Sequence, residues 1–222
     1  YFQRFLFVSS YSGALTLGWF EGMHLRYGGS EYADLDASLL SAQLRLLIFS
    51  QLAVSIGIAG IALAVPVSAD HSFVLVACAM ASVLLNLRGL PVVLLQATYR
   101  AREFARLVVV ERGAYVVLLI IALMLSSRDY RVMVGCALVA LLIGAGAALR
   151  SIGDVVRHPP TRLSTGWREV WLNVVAGLPL LISNVASMLM IGVMRLVIER
   201  RWGIAAFGGV SLLLSLAGLA VA

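Results

Sequence analysis

Two stretches of this 222-residue chain, Leu46 to Ala69 and Val170 to Met194, run without a single charged residue. A helix needs about 20 apolar residues to cross a bilayer. Inside hydrocarbon, every backbone N–H and C=O must also be paired within the protein. Runs of this length and polarity therefore predict membrane-spanning helices. Composition agrees along the rest of the chain: 61% of residues are apolar and 13% charged, where a soluble domain carries about a quarter charged residues. The mean hydropathy of +0.98 excludes intrinsic disorder as well as an ordinary soluble domain.

Seven segments are long and apolar enough, or nearly so, to be spans: roughly 5–25, 46–67, 73–97, 107–126, 132–149, 170–195 and 204–222. The expected fold is an all-α, polytopic transmembrane helical bundle of about seven spans. All 17 basic residues are arginine and the formal net charge is +6. The arginines punctuate apolar runs and do not gather on one polar face, so no nucleic-acid footprint is expected. If the chain starts outside, the stretches 21–45, 98–112 and 150–169 are cytoplasmic and hold ten arginines, against five in the external stretches. That bias favours this orientation. The external connections are short and leave no room for an extracytoplasmic catalytic domain. Pro159-Pro160 breaks the longest connection, and Trp167 and Trp171 suit an interfacial stretch.

Polar groups inside the spans carry the functional information, because a mid-bilayer charge costs about 2.5–3.5 kcal/mol or more and needs a partner or a cavity. Arg88 lies deep in the third span, followed by Gly89 and by Pro91, which cannot donate to the carbonyl of Leu87. It reads as an anion-binding cation or as the partner of Glu111 on the next span. Glu111 is in turn a structural partner or a protonatable coupling group. Arg112 and Arg195 lie near span ends and can snorkel. Glu21 and His24, three residues apart and close to Arg26, form a titratable group at the mouth of the first span. Asn184 with Ser183 and Ser187 gives the sixth span a polar stripe, and Asn86 and Gln96 mark the third. Each suits interhelical hydrogen bonding or a cavity wall. Gly57 and Gly60 suggest close helix approach, and Pro179 suggests a bend in the sixth span.

No catalytic constellation, metal-ligand spacing or phosphate loop of the form G-x-x-x-x-G-K-[ST] is present, and no cofactor is expected. Cys78 and Cys136 both lie in apolar runs and read as packing residues.

Two blocks carry a family resemblance. The first is Gly22-Met23-His24-Leu25-Arg26-Tyr27-Gly28-Gly29 with Tyr32 and Leu35-Asp36. The second runs from Ser183-Asn184-Val185-Ala186-Ser187 through Arg195 and Glu199-Arg200-Arg201-Trp202-Gly203 to Phe207-Gly208 and Ser211-Leu212. With Leu95-Gln96-Ala97-Thr98 between them, the chain resembles the polysaccharide transporter branch of the multidrug/oligosaccharidyl-lipid/polysaccharide exporter superfamily. The resemblance implies a two-lobed flippase, of which this chain is a fragment without its first helix. Residues 1–150 would be most of the first lobe, 151–169 a cytoplasmic interlobe linker and 170–222 the start of the second lobe.

The implied activity is movement of an undecaprenyl-pyrophosphate-linked oligosaccharide across the bacterial inner membrane by alternating access. The implied partners are that lipid-linked oligosaccharide, membrane lipids and the polysaccharide assembly machinery. On this reading Arg88, Arg195, Asn184, Asn86 and Gln96 line the substrate cavity, and Glu111, Glu21 and His24 serve a coupling ion. The alternatives are a membrane enzyme of the polysaccharide polymerase or ligase type and an ion-coupled small-molecule exporter of the same fold.

Overall fold

In the computed structural model the described residues are 1–64, 68–125 and 129–221, with the side chains at 63, 191, 195, 204–206 and 214–221 outside the description. Among the described residues there are helices and turns and no strands. The chain folds as α1 (Phe2–Ser10), a 3-10 segment (Tyr11–Thr16), α2 (Trp19–Tyr27), a short 3-10 turn (Tyr32–Asp34) and α3 (Ala37–Ala64). There follow α4 (Ala69–Ala97), α5 (Ala101–Met124), α6 (Tyr130–Ser151), α7 (Gly153–Arg157) and α8 (Leu163–Val221).

Among the described residues five helices are long and apolar enough to cross a membrane, not about seven: α3, α4, α5, α6 and α8 from Leu163 to Gly203. This is a multi-pass, all-α membrane protein. One local cause lies in the first expected span. The segment 5–25 is not one helix, because Leu17 (φ 53°) and Gly18 (φ 84°) take left-handed torsions in succession and end the helical ladder between the 3-10 segment and α2. The broken element nevertheless runs the length of the bundle. Tyr1 packs edge-on against His71 and tilted against Tyr130 at one end, and at the other Gly29 N–H donates to the Ala97 carbonyl. The 3-10 segment packs on α4, and α2 packs on α8 and α4. The segments 170–195 and 204–222 are two helices joined end to end within α8: torsions stay helical through Pro179 and break at a kink at Gly203 (φ 83°, ψ 177°). The side chains of most of 204–222 lie outside the described residues.

Short connections make α3, α4, α5 and α6 antiparallel neighbours, with α4 in contact with α2, α3 and α6. One core sits near the arginine-rich end, where Trp19, Met23, Leu44, Leu47, Leu90 and Ile152 meet. A second lies toward the other end around Phe5, Val74, Cys78 and Val134. Both cysteines are free thiols. Most outward positions of α5 and α8, such as Val109, Val117, Ile120, Val175 and Met190, are exposed and apolar, as lipid-facing helices require.

At the arginine-rich end the Asp36 carboxylate caps α3. It accepts from the Ser38 hydroxyl at 2.7 Å, the Ser38 amide at 2.8 Å and the Leu39 amide at 3.2 Å. Those bonds, the Ser38 hydroxyl first, hold the Asp36 carboxyl below the usual carboxylate range. Nearby, Tyr32 donates to Asp154 at 2.9 Å, and Arg100 lies 4.4 Å above the Tyr32 ring. Burial and the Asp154 carboxylate push the Tyr32 phenol well up. The stretch 151–169 contains α7 and the first turns of α8. Ser41 Oγ donates to the His158 carbonyl, which ties the Pro159-Pro160 break to α3.

Close helix approach is set by other glycines than the sequence suggested. A Cβ at Gly57 or Gly60 would meet nothing within 4 Å, so these two face open surface. The tight seam is between α2 and α8. A Cβ on Gly22 would stand 1.8 Å from the Asn173 carbonyl oxygen, and one on Gly177 would stand 1.9 Å from that of Gly18.

Candidate functional site

Arg88 and Glu111 face each other between α4 and α5 as an ion pair, their side chains 19% and 8% exposed. Arg88 lies about 14 Å in from the Ala97 end of α4, and Glu111 about 15 Å in from the start of α5, so the two are level. The carboxylate fits because α6 offers no side chain there. A Cβ on Gly144 would stand 2.5 Å from Glu111 Oε2. The pair forms part of the wall of a cavity of about 310 Å³ between α1, α4, α5 and α6, which also takes in Ser9, Ser10, Arg112 and Tyr115. Two guanidiniums against one carboxylate leave this wall with an excess positive charge. Hydroxyls of Ser9, Ser10 and Tyr115 add neutral hydrogen-bonding groups beside it. An arginine fork binds phosphate and carboxylate oxygens bidentately, so the wall suits an anionic group flanked by hydroxyls.

The other sequence candidates are distributed elsewhere. Asn86 is 2% exposed and donates to the Ser12 carbonyl at 3.1 Å and to Gln51 Oε1 at 2.8 Å. It tethers the 3-10 segment to α3 and α4. Gln96 and His24 are exposed. Asn184 and Glu21 share a second cavity, between the 3-10 segment and α8. The Arg195 side chain lies outside the described residues. The structure thus brings Arg88, Glu111 and Arg112 together, and separately Glu21 and Asn184.

A buried polar network went unread in the sequence. Arg26 pairs with Glu169 at 2.7 Å, and Tyr27 donates to Glu169 at 3.0 Å. Gln43 donates to the Tyr27 hydroxyl at 3.1 Å and accepts from Trp19 Nε1 at 3.1 Å and from Asn173 Nδ2 at 3.0 Å. These bonds lock α2, α3 and α8 at the arginine-rich end. A signal was present: Gln43 and Gln51, eight apart, share one face of α3, and Glu169 and Asn173, four apart, share one face of α8. At the opposite end Arg4 pairs with Glu199 at 3.3 Å, and Tyr11 donates to the Met188 carbonyl at 3.1 Å. Among the described residues no three His, Cys, Asp or Glu side chains gather as a metal centre.

No family model, curated protein or solved structure matches this chain. The fold and the site define it by class, as a multi-pass α-helical membrane protein with a cationic cavity among its spans.

Proposed function

We propose that this chain forms part of a flippase that moves an undecaprenyl-pyrophosphate-linked oligosaccharide across the bacterial inner membrane by alternating access. The observation that supports the reading is the cavity holding Arg88 and Arg112 against the single carboxylate of Glu111, with the Arg88–Glu111 pair about 14–15 Å in from the ends of α4 and α5. A charge held there is expected to serve a substrate or an ion. A pyrophosphate supplies the missing negative charge, and the hydroxyls beside the arginines suit the first sugar. The polysaccharide assembly machinery would take up the product on the far side.

The test is scrambling of a fluorescent lipid-pyrophosphate glycan by the protein in proteoliposomes, compared with a phosphate-free lipid glycoside of equal chain length. The reading expects movement of the first and not the second, and loss of movement in Arg112→Ala at unchanged reconstitution. Equal movement of both lipids, or full activity in Arg112→Ala, would refute it.

A further inference from the structure

Two further cavities run along α4 on a face that the flippase reading does not use. One, of about 370 Å³, opens between α4 and α6 beside Phe73 and Arg131. The other, of about 420 Å³, continues it between α3, α4 and α6 as far as Leu84 and Leu142. Met80 and Leu138 line both, and neither shares a residue with the arginine cavity. The rings of Phe73 and Tyr130, near the starts of α4 and α6, are 6.0 Å apart, so both helices enter the bundle from the same end. Phe73 to Leu84 on α4, and Arg131 to Leu142 on α6, each rise about 16 Å. One leaflet supplies about 15 Å of hydrocarbon. The joined groove is one leaflet deep.

Below its rim the wall is apolar. Ser55 turns its hydroxyl away, donating to the Ala79 carbonyl at 2.9 Å. Gly135 leaves the middle open, since a Cβ there would meet nothing within 4 Å. An empty apolar groove forfeits dispersion contacts, and water gains little from walls without polar partners. The occupant that fits is an acyl chain.

The rim carries charge of both signs. Arg131 lies 5.5 Å above the Phe73 ring and is half-exposed. Its Nη2 donates to Asp70 Oδ1 at 2.9 Å and its Nε to the Tyr130 hydroxyl at 3.3 Å, while that hydroxyl donates to the same Asp70 oxygen. Among the described residues this leaves three of the five guanidinium N–H groups, and Asp70 Oδ2, for an outside partner. A guanidinium with donors to spare suits a phosphate, and the spare carboxylate oxygen beside it suits an ammonium. The Asp129 carboxylate, which caps α6 by accepting from the Arg131 amide at 2.9 Å, adds a second negative charge near the rim. A headgroup with phosphate charge alone is therefore disfavoured.

We infer that the face of α4 between α3 and α6 binds one phospholipid with a zwitterionic, primary-amine headgroup. Its phosphate sits on Arg131, its ammonium on Asp70, and one acyl chain runs past Met80 and Leu138 toward Leu142. The site stands whether or not the arginine cavity serves a lipid-linked glycan.

The experiment uses the intact protein in nanodiscs of phosphatidylethanolamine, phosphatidylcholine and phosphatidylglycerol in equal parts, with identical acyl chains. Native mass spectrometry counts the lipid that stays bound. The wild type should retain one phosphatidylethanolamine about fivefold over either competitor, the worth of one partly exposed ionic contact. Gly135→Leu fills the groove and should lose the retained lipid at unchanged protein yield. Asp70→Asn should keep a bound lipid but lose the preference for phosphatidylethanolamine over phosphatidylcholine, and it decides the matter alone if the leucine variant does not fold. Equal retention of the three lipids by the wild type would overturn the inference. So would a preference that survives in Gly135→Leu or in Asp70→Asn, since it would then belong to the bilayer and not to this groove.

Discussion

Gly22→Ala tests the α2–α8 seam with a single methyl group. The added Cβ would stand 1.8 Å from the Asn173 carbonyl oxygen, 2.5 Å from its carbonyl carbon and 2.9 Å from its Cα. Ordinary contact begins at 3.4 Å, so the two backbones must part by about 1.6 Å for the methyl to fit. Every obstructing atom is backbone, and no rotamer change relieves it. The same displacement carries Asn173 away from Gln43, to which it now donates at 3.0 Å, past the hydrogen-bond limit of about 3.5 Å. Overpacking costs about 1–3 kcal/mol, and each lost buried bond adds about 1 kcal/mol. With this bond broken, the expected loss is about 2–4 kcal/mol, a large share of the stability of a typical domain. The assay is thermal unfolding in nanodiscs, with recovery of monodisperse protein as a second readout. Gly13→Ala is the control, since a Cβ there meets nothing within 4 Å. An unfolding midpoint for Gly22→Ala equal to those of Gly13→Ala and the wild type would refute the argument that these backbones are in contact.

Two further outcomes follow from buried and capping charges. Removing Arg88 alone strands Glu111, whose side chain is 8% exposed, and breaking such a pair costs about 3–5 kcal/mol. Arg88→Ala should therefore lower the yield of folded protein, and Arg88→Ala with Glu111→Ala should restore it; a double variant no better than the single one would mean the pair is not what holds these groups. Asp36→Ala should cost about 1 kcal/mol at neutral pH by uncapping α3. The Asp36 carboxyl is held below its usual range in the fold, so its contribution is present above the unfolded value near 3.9 and fades as pH falls through the folded one. The gap in unfolding midpoint between wild type and Asp36→Ala should close on acidification, and a gap that persists at pH well below 3 would contradict the cap.

The sequence by itself determined the class of this protein and the existence of its long helices. Uncharged runs such as Leu46 to Ala69 leave only a membrane-spanning helix as a way to pair every backbone group, and that argument is local. The intramembrane charges were legible for the same reason: Arg88 and Glu111 stand out against an apolar background, and their pairing on adjacent spans was one of two readings the sequence left open. Tertiary structure decided the rest. Leu17 and Gly18 break the first element because its 3-10 segment and α2 pack separately on α4 and α8, and no periodicity in Phe5 to Leu25 records this. Gly57 and Gly22 look alike in sequence, yet only Gly22 meets a neighbouring backbone, since which glycine lies in a seam depends on how two distant helices cross. The network of Gln43, Tyr27, Glu169 and Asn173 joins residues more than a hundred positions apart. Their hydrogen-bonding capacity is written in the chain, but which of them meet is fixed only when α2 and α8 come together.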